Sequence, residues 1–126
     1  MGYSPPSTAI AIAVVAIGGF ANAQELCASQ PDVKTHAECA AAVMEPIEVR
    51  LKQAYDSIEP KFVNEAKTSL AESQRNWNAY RHNQCFLEGM AIQPPDTSSN
   101  LASLRAFFMC VHRLTVQRVI ELEKLK

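Results

Sequence analysis

The residues of this chain with the clearest chemistry are its four cysteines, Cys27, Cys39, Cys85 and Cys110. In an exported protein, four cysteines typically form two disulfides. A zinc site is the competing use, but no two cysteines have C-x-x-C spacing and no His lies a few residues from another His. We therefore predict two disulfides, no metal site and no other cofactor.

The remaining reactive residue types do not form a recognisable catalytic arrangement. His36, His82 and His112 are scattered, and no Ser or Cys stands in a nucleophile motif. The sequence has neither a phosphate-binding loop nor a basic patch interleaved with aromatic residues. Its 12 basic and 13 acidic residues leave a net charge of −1, which gives no long-range attraction to nucleic acid or to an anionic membrane. We predict a protein that is not an enzyme and does not bind nucleic acid.

The N-terminal residues indicate export. A small, apolar, uncharged run from Ala9 to Phe20 precedes Ala21-Asn22-Ala23, which fits the A-x-A cleavage pattern of signal peptides. The run is short for a membrane span, although an uncleaved N-terminal anchor is an alternative. We expect a signal peptide at residues 1–23 and a periplasmic or secreted domain at residues 24–126, with no stable membrane insertion after cleavage.

Helical signals dominate the rest of the chain. Thr35-His36-Ala37-Glu38 fits a capping box, so a helix is predicted to begin at Thr35. Pro46 either kinks this helix or lies in the first turn of the next one. Apolar residues continue at three- and four-residue spacing as far as Ile58, and no alternating strand pattern of useful length is present.

Two further helices follow. Pro60 is predicted to open a long helix that Gly89 ends as a C-cap, and its inward stripe comprises Val63, Ala66, Leu70, Ser73, Trp77 and Tyr80. Residues 93–100 form a loop, and a last helix begins at about Leu101. Its stripe comprises Leu101, Leu104, Phe108, Val111, Thr115, Arg118, Leu122 and Leu125. The predicted fold is all-α: a small antiparallel bundle of three to four helices held together by two disulfides.

Helix placement favours one disulfide pairing among the three that four cysteines allow. In one continuous helix, Cys27 and Cys39 would lie about 18 Å apart, too far to bond. A helix start at Thr35 lets residues 27–34 turn back, so that Cys27 can reach Cys39. Cys85 and Cys110 lie on two helices joined by a loop, which makes them the second pair.

The most specific sequence pattern spans the last two predicted helices. It reads Leu70-x3-Gln74-Arg75-x-Trp77-x2-Tyr80-Arg81-x3-Cys85, followed by Cys110-x3-Leu114-Thr115-x2-Arg118-x3-Leu122. This pattern resembles the N-terminal domain of the LprI-like lysozyme inhibitor family, small exported helical proteins, and the resemblance extends from Cys27 to about Glu123. The chain departs from that family at Glu48 and Lys52, where members usually have Asp and Asn, and at Pro46.

The motif also has a physical interpretation of its own. Gln74, Trp77 and Arg81 share one helix face, while Thr115 and Arg118 lie on the inward stripe of the last helix. An inward Arg118 needs partners, which Gln74, Glu48 or a backbone carbonyl could provide. We favour a buried polar clamp between helices over a ligand-binding site.

Two further features could contact a partner protein. Arg75 and Arg81 are expected to be the more exposed arginines of the motif. The loop with Pro94, Pro95 and Asp96 would be fixed near both ends by a Cys85–Cys110 bridge, and its prolines would lower the ordering cost of binding. A plain connection between helices is the alternative interpretation of this loop.

The resemblance implies a protein that acts by binding another protein. The first hypothesis is an inhibitor that occludes the substrate cleft of a lysozyme or a related cell-wall hydrolase. The alternatives are a periplasmic immunity protein against a cell-wall-degrading toxin and a structural or stress protein of the envelope. The sequence does not indicate an oligomeric state.

Overall fold

Three long helices account for most of the chain in the computed structural model, which describes residues 27, 29–92 and 100–126. Helix α1 spans Val33–Ile58, α2 spans Asn64–Ile92 and α3 spans Leu101–Glu123. No strand occurs among the described residues, which confirms the all-α prediction. None of the helices in this part of the chain is long and apolar enough to cross a membrane. The predicted signal peptide lies outside the described residues, as does the segment with Pro94, Pro95 and Asp96.

The start of α1 differs from the prediction. Asp32 is the N-cap, and its carboxylate accepts a hydrogen bond from the backbone N–H of Thr35 at 2.8 Å. The Thr35 hydroxyl also contacts this carboxylate, at 3.0 Å. The Asp32 carboxylate satisfies a free backbone N–H group in the first turn, that of Thr35. The helix therefore begins at Val33, directly after this cap.

One of the two positions predicted for Pro46 is confirmed, whereas the prediction that Pro60 opens the long helix is wrong. Pro46 lies inside α1, which continues through it, and does not open a new helix. Pro60 belongs to a short 3-10 helix at Glu59–Lys61, and the chain then turns before α2 begins at Asn64, which has a positive φ of 55°. Asn tolerates this left-handed conformation better than most residues.

Gly89 does not end α2. It is buried inside the helix, which continues to Ile92. A Cβ atom at Gly89 would lie 3.0 Å from the carbonyl oxygen of Ser103 and 3.5 Å from Cβ of Phe107. The absence of a side chain at Gly89 allows the backbones of α2 and α3 to approach closely, and this glycine does not mark a helix end.

The chain runs up, down and up through the bundle. Cys85 of α2 bonds Cys110 of α3, so these two helices are antiparallel. The His36 ring on α1 lies against Phe108 of α3, and further along the same two helices Arg50 pairs with Glu123, so α1 and α3 run parallel. Helix α3 packs against both of the other helices and forms the middle of the molecule.

The core has two apolar clusters along α3. One cluster joins all three helices and comprises Leu51, Ala54, Ile58, Leu70, Val119 and Leu122, with Tyr55, Phe62 and Trp77 at its edge. The other comprises Cys85, Cys110 and Leu114, with Phe107 and Val111 beside it.

The predicted inward stripes are only partly buried. Of the stripe predicted for the last helix, Thr115, Arg118 and Leu122 are buried, but Leu125, which follows the end of α3, is exposed. Of the stripe predicted for the long helix, Leu70 is buried, whereas Tyr80 and Val63, which precedes α2, are exposed. Helix α2 buries fewer of its residues than either α1 or α3 does.

Both predicted disulfides are present. Cys27 bonds Cys39 with a Cα–Cα distance of 5.4 Å, and Cys85 bonds Cys110 with a Cα–Cα distance of 5.3 Å. The first links the N-terminal segment to α1, and the second links α2 to α3. By loop-closure entropy, each contributes about 3 kcal/mol to the free energy of unfolding.

Candidate functional site: the polar clamp

The family motif forms a cluster of charged and polar side chains at the junction of the three helices. We call it the polar clamp, and its members are Glu48, Gln74, Trp77, Arg81, Thr115 and Arg118. Glu48 comes from α1, the next three from α2 and the last two from α3. The spacing within each helix places these residues on inward or half-inward positions, where the helices approach one another.

Arg118 forms the part of the clamp that joins α3 to α2. Its Nε–H donates to Oε1 of Gln74 at 3.0 Å, and one Nη donates to the Ser73 hydroxyl at 3.0 Å. The other Nη lies 3.4 Å from the carboxylate of Glu121 on its own helix. Arg118 is a buried charge whose donors are directed at acceptors, which is what makes an inward arginine tolerable.

Arg81 forms the part of the clamp that joins all three helices. Its Nη1 donates to Oε1 of Glu48 at 2.6 Å and to Oγ1 of Thr115 at 2.8 Å. The Thr115 hydroxyl in turn donates to the carbonyl of Val111 at 2.6 Å, so its oxygen is free to accept from Arg81. These bonds tie α2 to both neighbours through one guanidinium.

The position of Arg81 corrects a prediction. The sequence suggested an exposed arginine available to a partner, but the Arg81 side chain is only 19% exposed and is occupied by Glu48 and Thr115. Arg75, predicted in the same class, is exposed. Glu48, one of the partners predicted for Arg118, instead pairs with Arg81.

Trp77 supplies the apolar surface of the clamp. The Arg81 Cζ atom lies 4.6 Å from the centroid of the Trp77 ring, and the Arg118 Cζ atom lies 5.9 Å from it. Both distances are within the range of cation–π attraction, which adds to hydrogen bonding in holding the guanidinium groups. The half-buried ring also packs against the three-helix apolar cluster.

The contacts of the polar clamp connect the three helices. The Thr115 hydroxyl donates to a backbone carbonyl, and the Ser73 hydroxyl beside the clamp accepts from Arg118. Its carboxylate, Glu48, is paired with Arg81. The described residues contain no group of three or more His, Cys, Asp and Glu side chains that could hold a metal ion. This geometry supports the interpretation of the motif as a structural clamp.

A second polar cluster, which the sequence pattern does not predict, lies beside the Cys85–Cys110 disulfide. Glu88 accepts a hydrogen bond from the Gln84 amide at 3.1 Å and another from the Arg113 guanidinium at 2.8 Å. Both hydrogen bonds lower the pKa of Glu88, and the bond from Gln84 has the larger effect. Gln84 and Glu88 have the i,i+4 spacing of helix side-chain pairs, a signal present in the sequence, but Arg113 joins only through the fold.

Two histidines, His36 on α1 and His112 on α3, lie beside a small apolar cavity of about 30 Å³. Nδ1 of His36 lies 2.7 Å from the carbonyl oxygen of Cys27, so this nitrogen carries the hydrogen and donates it. Burial lowers the pKa of His112. Arg105 donates to the carbonyl of Gln30 at 2.7 Å and thereby attaches the N-terminal segment to α3.

These features define a class of protein: an all-α domain of three helices that two disulfides stabilise, with a polar motif whose side chains connect the helices. The family model described as "Lysozyme inhibitor LprI" matches residues 27–122. The match covers more than half of the chain, and the chain belongs to this family, which is described by inhibition and not by an enzymatic activity. Neither a search of curated proteins nor a search of solved structures found a match.

Proposed function

We propose that this protein is exported and binds a lysozyme or a related cell-wall hydrolase, occluding its substrate cleft without chemistry. The observation that carries the proposal is the family match over residues 27–122. The N-terminal signal pattern and the two disulfides support it, because a domain held by disulfides is suited to an oxidising compartment. The functional unit is the domain at residues 24–126, acting in the periplasm or outside the cell.

The test is inhibition by the oxidised protein purified after export. Increasing amounts are added to a panel of lysozymes of different structural types and to a cell-wall amidase, and lysis of cell walls is followed by turbidity. We expect one class of hydrolase to lose activity as a stable complex forms in size-exclusion chromatography. If the protein neither inhibits nor binds any member of the panel at a hundredfold molar excess, the proposal is wrong. Capture of the amidase alone would indicate the immunity role.

The segment with Pro94, Pro95 and Asp96 is proposed as part of the hydrolase contact. Replacing the three residues with Gly-Ser-Gly removes the two fixed φ angles and the carboxylate, so inhibition should weaken. The matched control replaces Thr97, Ser98 and Ser99 in the same connection with Gly-Ser-Gly and should retain inhibition. Equal inhibition by both variants and the parent would place the contact elsewhere on the domain.

A further inference from the structure

Helix α2 has an apolar face that no other described part of the chain covers. Between Asn76 and Met90, large apolar side chains remain about half exposed: Tyr80 at 53%, Phe86 at 53%, Leu87 at 62% and Met90 at 49%. Exposed apolar side chains that are grouped rather than scattered mark surfaces of association.

The spacing along this face is that of a helix–helix seam. Residues at positions 76, 80, 83, 87 and 90 recur at alternating intervals of four and three, the pattern of a and d positions in a coiled coil. The buried residues of α2, such as Cys85, lie on a different side of the helix. Cys85 follows Asn83 by two residues, which corresponds to a rotation of about 200° around the helix axis. We call the outward set Asn76, Tyr80, Asn83, Leu87 and Met90 the α2 seam.

The seam carries no charge of its own. Between Asn76 and Ile92 the charged residues are Arg81 and Glu88, and both are paired inside the molecule. Arg81 binds Glu48, and Glu88 binds Arg113. A surface without charge can meet an identical surface without like-charge repulsion, which is the requirement of an isologous two-fold contact.

We propose that the α2 seam packs against the α2 seam of a second copy of this chain. Side chains of this size, half exposed, together with the flanking Ala79 and Phe86, provide on the order of 500 Å² per protomer. A stable interface of standard size needs about 800 Å² from each partner. The dimer is therefore weak and reversible. Asn76 and Asn83 in the seam lower its stability further, but their amides fix the register.

Sedimentation equilibrium of the oxidised protein purified after export tests the proposal. The average mass should rise from one toward two protomer masses between about 10 and 500 µM, the range of a weak complex. The double substitution Leu87→Glu and Met90→Glu places two carboxylates in the seam and should reduce association at least about tenfold. Val49→Glu is the matched control, because Val49 is an equally exposed apolar residue on α1 and should leave association unchanged. A wild-type protein that stays monomeric at the highest concentration overturns the proposal.

Cross-linking tests the position of the contact. Asn83 is the midpoint of the seam, so Asn83→Cys should form a disulfide-linked dimer under mild oxidation in either helix orientation. Asn78→Cys is the control, because Asn78 is exposed on the same helix but lies on another side. Equal cross-linking of the two variants overturns the seam as the contact. A third outcome is that the parent is monomeric and that the variant with Leu87→Glu and Met90→Glu no longer binds the hydrolase. The seam would then contact the hydrolase, and the proposal of a second copy of this chain would be wrong.

Discussion

Arg81 shows most directly what the individual residues of the family motif do. It lies on α2, and a single nitrogen of its guanidinium bonds Glu48 of α1 and Thr115 of α3. The position of its guanidinium over Trp77 adds a contact that only a planar cation makes well. The motif residue is thus a three-helix connector.

Replacing Arg81 should therefore destabilise the domain. Arg81→Ala leaves the Thr115 oxygen and the Glu48 carboxylate without their donor, and we expect the free energy of unfolding to fall by about 2 kcal/mol. Urea unfolding of the oxidised protein measures this loss. Arg75→Ala, at an exposed position one turn and a half away, should change the free energy by less than about 0.5 kcal/mol. Equal losses in the two variants would contradict the role assigned to the clamp.

His112 gives the domain a pH dependence. Its pKa is lowered in the folded state by burial, so the unfolded state takes up a proton first as the pH falls below the ordinary value of 6.5. Stability is therefore complete above that value and declines as the pH decreases below it. In His112→Gln, the slope of stability against pH between about 7 and 5 should be shallower than in the parent. A parental slope in His112→Gln would contradict the assignment.

At the scale of elements, the contact between α2 and α3 is governed by Gly89. A side chain at this position must displace the α3 backbone at Ser103, because the nearest atom is a carbonyl oxygen and not the end of a movable side chain. Gly89→Ala should therefore lower the free energy of unfolding by about 1–3 kcal/mol, although alanine favours helix more than glycine does.

Thermal unfolding with matched controls checks this expectation. Ala71→Leu adds a larger side chain at an exposed position of the same helix and should change the free energy by less than about 0.5 kcal/mol. A Gly89→Ala variant as stable as the parent, or more stable, would show that the two backbones can separate without cost.

The sequence predicted the helices better than their ends. Apolar spacing identified all three, and the start of α3 at Leu101 is confirmed. The cap at Asp32 was missed because Thr35 and Asp32 both carry cap-forming side chains, and the local pattern does not decide between them. Gly89 was misinterpreted because glycine marks both helix ends and close helix contacts, and only the position of α3 separates the two. Similarly, the partner of Arg81 depends on where α1 lies, which no local pattern contains.

At the scale of the whole molecule, the two disulfides have unequal structural roles. Cys85 and Cys110 are fully buried and join two helices at the second apolar cluster, whereas Cys27–Cys39 attaches a short segment to α1. Replacing Cys85 and Cys110 with alanine should cost at least the entropic contribution of about 3 kcal/mol. The same replacement of Cys27 and Cys39 should cost less, because the bundle below that segment stays intact.

Chemical denaturation of the two double variants, compared with the oxidised parent, measures the difference. Far-UV circular dichroism at neutral pH provides the control for overall helix content before denaturant is added. A larger loss on removing Cys27–Cys39 would mean that the N-terminal segment contributes more to the core than its position suggests.

The central place of α3 has a consequence for how the chain reaches its structure. Helix α3 follows α1 and α2 in the chain and is the one on which both pack, so Leu51, Ile58 and Leu70 have no complete core until Val119 and Leu122 are present. A chain still lacking α3 therefore cannot complete this fold. Of the two bridges, Cys27–Cys39 spans only 12 residues and can close early, while Cys85–Cys110 must wait for α3. Helices α1 and α2 therefore lack a complete core, and Cys85 lacks its bonding partner, until α3 has been synthesised.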